Sequence, residues 1–222
     1  MDELSRNHKR SHNLLKNKKK ATLSTIKYMI KTTSATFARG VTDDDNLIRD
    51  GLPQIAFIGR SNVGKSSLIN AITGNGKLAR ASATAGRTQE INFFLINKSF
   101  YIVDLPGYGY ARGSFEKRGL IYERIDGYLF KSNIEHRKVV LLIDTKAGIT
   151  DSDKEMYTEL KKNHKDIIVI ANKIDKVNQS ERQKNVNEIV NFVAPNLVLL
   201  VSGEKHLGIE ELSELIFPQF KD

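Results

Sequence analysis

The chain has 222 residues, 40% of them apolar, enough for one domain with a sizeable core and an appended tail. With no cysteine it forms neither a disulfide nor a thiolate site, which fits a reducing cytoplasm, and no apolar run approaches the ~20 residues of a membrane-spanning helix. The net charge of +9 is unevenly placed: residues 1–40 carry ten Lys/Arg against Asp2 and Glu3, and the rest of the chain is close to neutral.

Residues 1–30 therefore read as a flexible basic arm, suited to a polyanion because each phosphate it neutralises releases counterions. A solubilising leader is the plainer reading. Basic residues without an apolar stretch behind them do not make a secretory signal, and Asp2 and Glu3 argue against a transit peptide. The arm's few apolar anchors (Leu14, Leu15, Leu23, Ile26) rank an anionic lipid surface below RNA as its partner. Residues 31–222 read as a single domain, expected to be a monomer.

The first apolar run of that domain, Ile55-Ala56-Phe57-Ile58, is too short for a helix and leads into Gly59-Arg60-Ser61-Asn62-Val63-Gly64-Lys65-Ser66, with Ser67 following. Between a strand and a helix predicted over 65–73, this pattern is a P-loop. Its glycines let backbone N–H groups turn inward around phosphates, beside a helix N-terminus whose dipole favours anions. Lys65 is expected to reach the β- and γ-phosphates, and Ser66 to place its hydroxyl on Mg²⁺. The small, polar stretch 81–89 has the character of a loop ordered by the γ-phosphate, with Gly86 and Arg87 beside the nucleotide. A threonine from it would complete the Mg²⁺ shell: Thr88 is preferred and Thr84 is the alternative.

Residues 90–97 and 99–105 read as an antiparallel pair turning at Asn97-Lys98. At its end, Asp104-Leu105-Pro106-Gly107 supplies a carboxylate for Mg²⁺ through water and a backbone N–H, at Gly107, to sense the γ-phosphate. Many G proteins place a glutamine next to orient the attacking water; Tyr108 stands here and has no amide, so slow hydrolysis is expected. A helix follows over 115–130, then the run 139–143 ending at Asp144, a helix over 152–162 and the run 167–170.

Asn172-Lys173-Ile174-Asp175 follows that last run as a base-reading element. Asp175 can accept from guanine's ring N–H and exocyclic amine, a donor pair adenine lacks, and such a site rejects the wrong base by ~10⁴ or more. Lys173 would lie over the base and Asn172 would brace the loop. After a helix over 180–192 and the run 197–201, Val201, Ser202 and Gly203 would complete the pocket with backbone N–H groups toward the guanine carbonyl. A helix over 208–216 ends the pattern.

Gly59, Asp104, Asp144, Asn172 and Ser202 all lie within two residues of a strand's carboxyl end, where open α/β sheets bind ligands. The expected fold is thus an α/β, three-layer Ras-like P-loop G domain with a mostly parallel sheet and one antiparallel strand. The expected ligands are GTP and GDP with Mg²⁺. The five histidines suggest no metal site: His8 and His12 lie in the arm, and His136, His164 and His206 are scattered.

From about Ala35 onward the sequence resembles the EngB (YihA) family of ribosome-biogenesis GTPases, related to TrmE, Era and EngA. The carriers are residues 53–70 around the P-loop, Gly86-Arg87-Thr88-Gln89 with Ile91-Asn92-Phe93-Phe94, and Asp104-Leu105-Pro106-Gly107-Tyr108-Gly109-Tyr110-Ala111. The resemblance implies a role in large-subunit assembly on ribosomal RNA, and an association with cell division and septation. It also implies that Asn62, like its counterpart in cation-stimulated relatives, helps bind K⁺. Three positions depart from the family pattern: Ala85 replaces a usual proline, Asn172 a frequent threonine, and Lys146 a usual arginine. Asn172 is the commoner G-domain residue and favours guanine binding. Arg87 and Arg112 are basic candidates for phosphate or RNA, with a solvated surface role as the default.

Two other classes compete. A P-loop also serves ATP-dependent phosphotransferases, which Asp175 speaks against and a GTP-versus-ATP competition distinguishes. The other is a nucleotide-regulated scaffold at the membrane or division site, held by the basic arm; co-sedimentation with liposomes against ribosomal subunits separates it from an assembly factor.

Overall fold

The computed structural model describes residues 32–42, 46–79, 90–109 and 115–217. The basic arm, Arg112, and the loop stretch with Thr84, Gly86, Arg87 and Thr88 lie outside the described residues.

Three of the apolar runs form strands β2 (Gln54–Gly59), β5 (His136–Asp144) and β6 (Ile167–Asn172), side by side and parallel. Their apolar residues run without a polar alternation because both faces are covered, as in other parallel sheets. With β1 (Ala35–Val41), β3 (Ile91–Ile96), β4 (Phe100–Asp104) and β7 (Val198–Leu200) they make a seven-stranded sheet in the order β1-β3-β4-β2-β5-β6-β7. Only β3 runs against its neighbours, as expected for this fold. The turn between β3 and β4 has left-handed backbone at both Asn97 (φ 49°) and Lys98 (φ 56°), the geometry whose twist matches a two-residue hairpin.

Strand β1 has no counterpart among the apolar runs of the sequence. It lies at the sheet edge, residues 36–39 are exposed, and Phe37 keeps 56% of its surface while packing edge-on against Phe94. An edge strand with one open side needs no hydrophobic run.

Among the described residues, five helices cover the two faces: α1 (Lys65–Thr73), α2 (Phe115–Asp126), α3 (Asp151–Lys162), α4 (Gln179–Val193) and α5 (Ile209–Ile216). Helix α1 packs with α5. On the other face Ile121, Ile125, Met156, Leu160, Ile189 and Val193 close over Ala56, Val139, Leu141 and Val169. The predicted helix over 115–130 is in fact α2 followed by a π-helical turn, Gly127–Lys131, which buries Tyr128 and Leu129. Helix α3 starts where Asp153 Oδ2 accepts from the Thr150 N–H (3.0 Å) and hydroxyl (2.7 Å), and α4 where Asn178 accepts from the Glu181 N–H.

At the end of the sheet remote from the strand carboxyl ends, the His136 ring meets Tyr128 edge-on at 4.6 Å, and Lys165 Nζ lies 3.3 Å from its Nδ1. Burial, and then the Lys165 charge, push this imidazole down to about 4. The unfolded chain therefore takes up a proton below about pH 6.5 that the folded chain refuses until about pH 4. Stability should fall as pH is lowered through that window, by at most about 3 kcal/mol from this group. Urea unfolding of wild type and His136→Gln at pH 7 and pH 4.5 checks this: the variant should lose less between the two.

Candidate functional site

The parallel register brings the carboxyl ends of β2, β4, β5 and β6 level, with Asp104 opposite Phe57, Gly59 opposite Leu142 and Asp144 opposite Asn172. Four loops leave from that line. The first, 59–66, turns tightly because Asn62 (φ 64°) and Gly64 (φ 100°) are left-handed, and it delivers the chain into α1. It packs on the second loop: the Ser61 N–H donates to the Tyr108 carbonyl (3.0 Å) and the Ser61 hydroxyl to that of Gly107 (3.2 Å). A Cβ on Gly107 would sit 2.8 Å from the Ser61 backbone, so only glycine allows this approach.

Lys65 and Ser66 open α1 facing Asp104. The Ser66 hydroxyl donates to Asp104 Oδ2 at 3.3 Å, whereas the buried Oδ1 has no hydrogen-bond partner. Burial lowers the Lys65 ammonium, an effect the nearby Asp104 charge opposes. Burial likewise raises the Asp104 carboxyl against the pull of Lys65 and Ser66. Both groups are short of counter-charge: the lysine suits an anion, and the orphaned carboxylate oxygen beside a hydroxyl suits a hard divalent cation that keeps several waters. These residues fit a Mg²⁺–phosphate ligand.

The loop after β6 carries the base-reading element, and the loop after β7, with Ser202 and Gly203, packs against it. Buried Asn172 donates from Nδ2 to the Val63 carbonyl (2.9 Å), and its Oδ1 faces the Gly203 N–H at 3.4 Å, so one side chain ties three loops together. Lys173, itself left-handed, sends its ammonium to the Asn62 carbonyl (2.6 Å) and to Asp144 Oδ2 (2.7 Å). Asp175 Oδ1 accepts from the Ser202 hydroxyl (2.6 Å), which in turn accepts from the Lys205 N–H. Asp175 Oδ2 pairs with Lys176 Nζ at 3.3 Å without an aligned hydrogen bond. Partial burial would raise this carboxyl, but the Ser202 hydrogen bond, the Lys176 ammonium and its own backbone outweigh that and hold it below the usual carboxylate range. Val201 is fixed to β6 through the Ala171 carbonyl, and Gly203 lies against the start of α1.

Every described residue among the sequence candidates from Gly59 to Ser67, with Asp104, Gly107, Asn172, Lys173, Asp175, Val201, Ser202 and Gly203, thus belongs to this one cluster of loops. Two contributors went unassigned in the sequence. Asp144 holds the Lys173 ammonium, and its place at a strand end was the available signal. Asp153 accepts the Tyr108 hydroxyl at 2.8 Å, which nothing in the sequence marks.

That second contact qualifies the reading of Tyr108. Its side chain is fully buried and turned toward α3, and burial with the adjacent Asp153 raises the phenol far above its ordinary range. Tyr108→Phe should leave Asp153 Oδ1 without its donor and cost about 1–3 kcal/mol of stability. Tyr108→Gln should not speed hydrolysis, because the position is buried and turned toward Asp153 of α3. Chemical denaturation and single-turnover GTP hydrolysis check the two statements, and a faster Gln variant would contradict the second.

A strand–P-loop–helix unit joined to a strand-end Asp-x-x-Gly and an Asn-Lys-x-Asp loop defines a P-loop GTPase of α/β Ras-like fold. A model of the family described as 50S ribosome-binding GTPase matches residues 54–173, and one described as elongation factor Tu GTP binding domain matches residues 135–222. The chain is 45% identical over 166 residues to a probable GTP-binding protein EngB of Clostridium acetobutylicum, covering 73% of this chain and 82% of that protein. It is 41% identical over 185 residues to the counterpart from Acholeplasma laidlawii, covering 83% and 95%. A crystal structure of a probable GTP-binding protein EngB superposes with a TM-score of 0.63 at 29% identity, covering 74% of this chain and 96% of that one. The chain belongs to the EngB family of GTP-binding proteins. Among the described residues, no helix is long and apolar enough to cross a membrane.

Proposed function

We propose that this protein is a slow, nucleotide-dependent switch in the assembly of the large ribosomal subunit, acting in the cytoplasm as a monomer. The observation that carries the switch is the contact of Gly107 with the Ser61 backbone: the loop that would meet the γ-phosphate rests directly on the loop that would hold the phosphates. The partner is supported by the matching family's description as ribosome-binding and by the basic residues of the arm 1–30, read as its RNA-binding part beside the G domain at 31–222.

In this reading the backbone of 59–67 cradles the phosphates, with Arg60, Gly86 and Arg87 beside them, and Lys65 neutralises the β- and γ-oxygens. Ser66 and Thr88 would hold Mg²⁺, with Asp104 reaching it through water, and the ion would supply charge compensation at the phosphates. Gly107 donates its N–H to the γ-phosphate. Asn172, Lys173 and Asp175 select guanine, and Val201, Ser202 and Gly203 close the base pocket. Asn62 is the residue for a K⁺ ion that would stand in for the missing water-orienting amide. Intrinsic turnover is expected on the order of 10⁻⁴–10⁻² s⁻¹. The link to cell division follows from the family resemblance, through the supply of large subunits. Depleting the protein in its own cells tests the assignment. Sucrose-gradient profiles should show large-subunit precursors accumulating beside a normal small subunit; an unchanged profile would refute it.

A further inference from the structure

We propose that the groove between α2 and α3 is a docking site for a basic, amphipathic segment of a partner protein. The open groove offers about 480 Å³, within the roughly 300–1,000 Å³ of ligand-binding clefts. Its floor is apolar, made by buried Ile125 and Met156 with half-buried Phe130. Tyr122 stands on its edge with 42% of its surface open, a ring available to an arginine or lysine.

The rim is acidic: Glu123, Asp126, Glu155 and Glu159 surround it against a single lysine, Lys131. Lys131 is paired with Asp126 at 2.5 Å, and Glu159 lies 3.7 Å from Lys162. Glu123 and Glu155 have no ion pair among the described residues, and even with the Arg118 charge felt at Tyr122 the rim carries net negative charge. On a chain of net charge +9 this is the opposite of an RNA or anionic-lipid surface. An apolar floor under unpaired carboxylates matches a helix or strand that presents leucine-like side chains flanked by lysine or arginine, the helix-in-groove mode of recognition.

The groove is apart from the nucleotide loops but next to one of them. Ser152, in its wall, faces Gly109 closely enough that a Cβ there would meet the serine Oγ at 3.8 Å, and the neighbouring Asp153 holds Tyr108. The docking site therefore adjoins the loop that follows Asp104. It does not depend on the ribosomal assignment.

Because the chain has no cysteine, Ser152→Cys provides a single thiol for an environment-sensitive dye inside the groove. The labelled full-length protein, loaded with GDP or a non-hydrolysable GTP analogue, is titrated with a synthetic Leu/Lys amphipathic peptide, its Leu/Glu counterpart and a short RNA duplex. The Leu/Lys peptide should give a saturable response in at least one nucleotide state. Glu123→Lys/Glu155→Lys on the same labelled protein should weaken it at least about tenfold while GTP affinity stays unchanged. No saturable response in either state, an affinity untouched by the double reversal, or equal binding of the Leu/Glu peptide or the RNA would overturn the proposal.

Discussion

Asp175→Asn should lower affinity for GTP by roughly 10²–10³ and raise that for xanthosine triphosphate above it. The carboxylate has lone pairs to spare: Oδ1 is held by the Ser202 hydroxyl, and Oδ2 meets only the lysine ammonium of Lys176 at 3.3 Å. Guanine's two donors can therefore be accepted without dismantling the loop. In the variant an amide N–H would face those donors, leaving buried polar groups unpaired, which costs about 1–3 kcal/mol each. Xanthine offers a carbonyl where guanine has its amine, and so would accept from the new amide. Ser202 can still donate to the remaining oxygen, and the fold should be kept. Competition binding with GTP, xanthosine triphosphate and ATP reads the result directly, and unchanged GTP affinity would refute the role of Asp175.

Gly64→Ala should lower the melting temperature by roughly 10 °C and weaken nucleotide binding at least about a hundredfold. Two independent costs meet there. The backbone is left-handed at φ 100°, which costs a residue with a side chain about 1–2 kcal/mol. The new Cβ would also lie 2.6 Å from Asn172 Nδ2. That amide is buried and bonded to the Val63 carbonyl, so moving it frees the P-loop from the base-reading loop. Thermal unfolding without nucleotide isolates the strain, and titration with GDP reads the damage to the phosphate cradle. A variant that melts like wild type would show that Asn172 does not brace the two loops.

What the sequence made legible follows from how strongly each element is constrained. The strands β2, β5 and β6 are buried on both faces, so they appear as unbroken apolar runs, and α1 begins where the P-loop pattern must end. The edge strand β1 is half solvent-facing and leaves no such trace. The candidate site residues are legible because phosphate, metal and base would each demand particular groups at fixed spacing. The supports behind them were not, since Tyr108–Asp153 and Lys173–Asp144 are contacts between segments 45 and 29 residues apart, set by packing and not by local pattern. Tyr108 illustrates the difference: the sequence identifies a missing amide, whereas only the fold reveals a buried side chain bonded to Asp153 of α3.

The most direct test of the switch is sedimentation of the full-length protein with purified large ribosomal subunits, in GDP and in a non-hydrolysable GTP analogue. The analogue should bring the protein into the subunit peak and GDP should leave it at the top of the gradient. Absence from the peak in both states, with guanine nucleotide binding intact, would contradict a nucleotide-gated role on that particle.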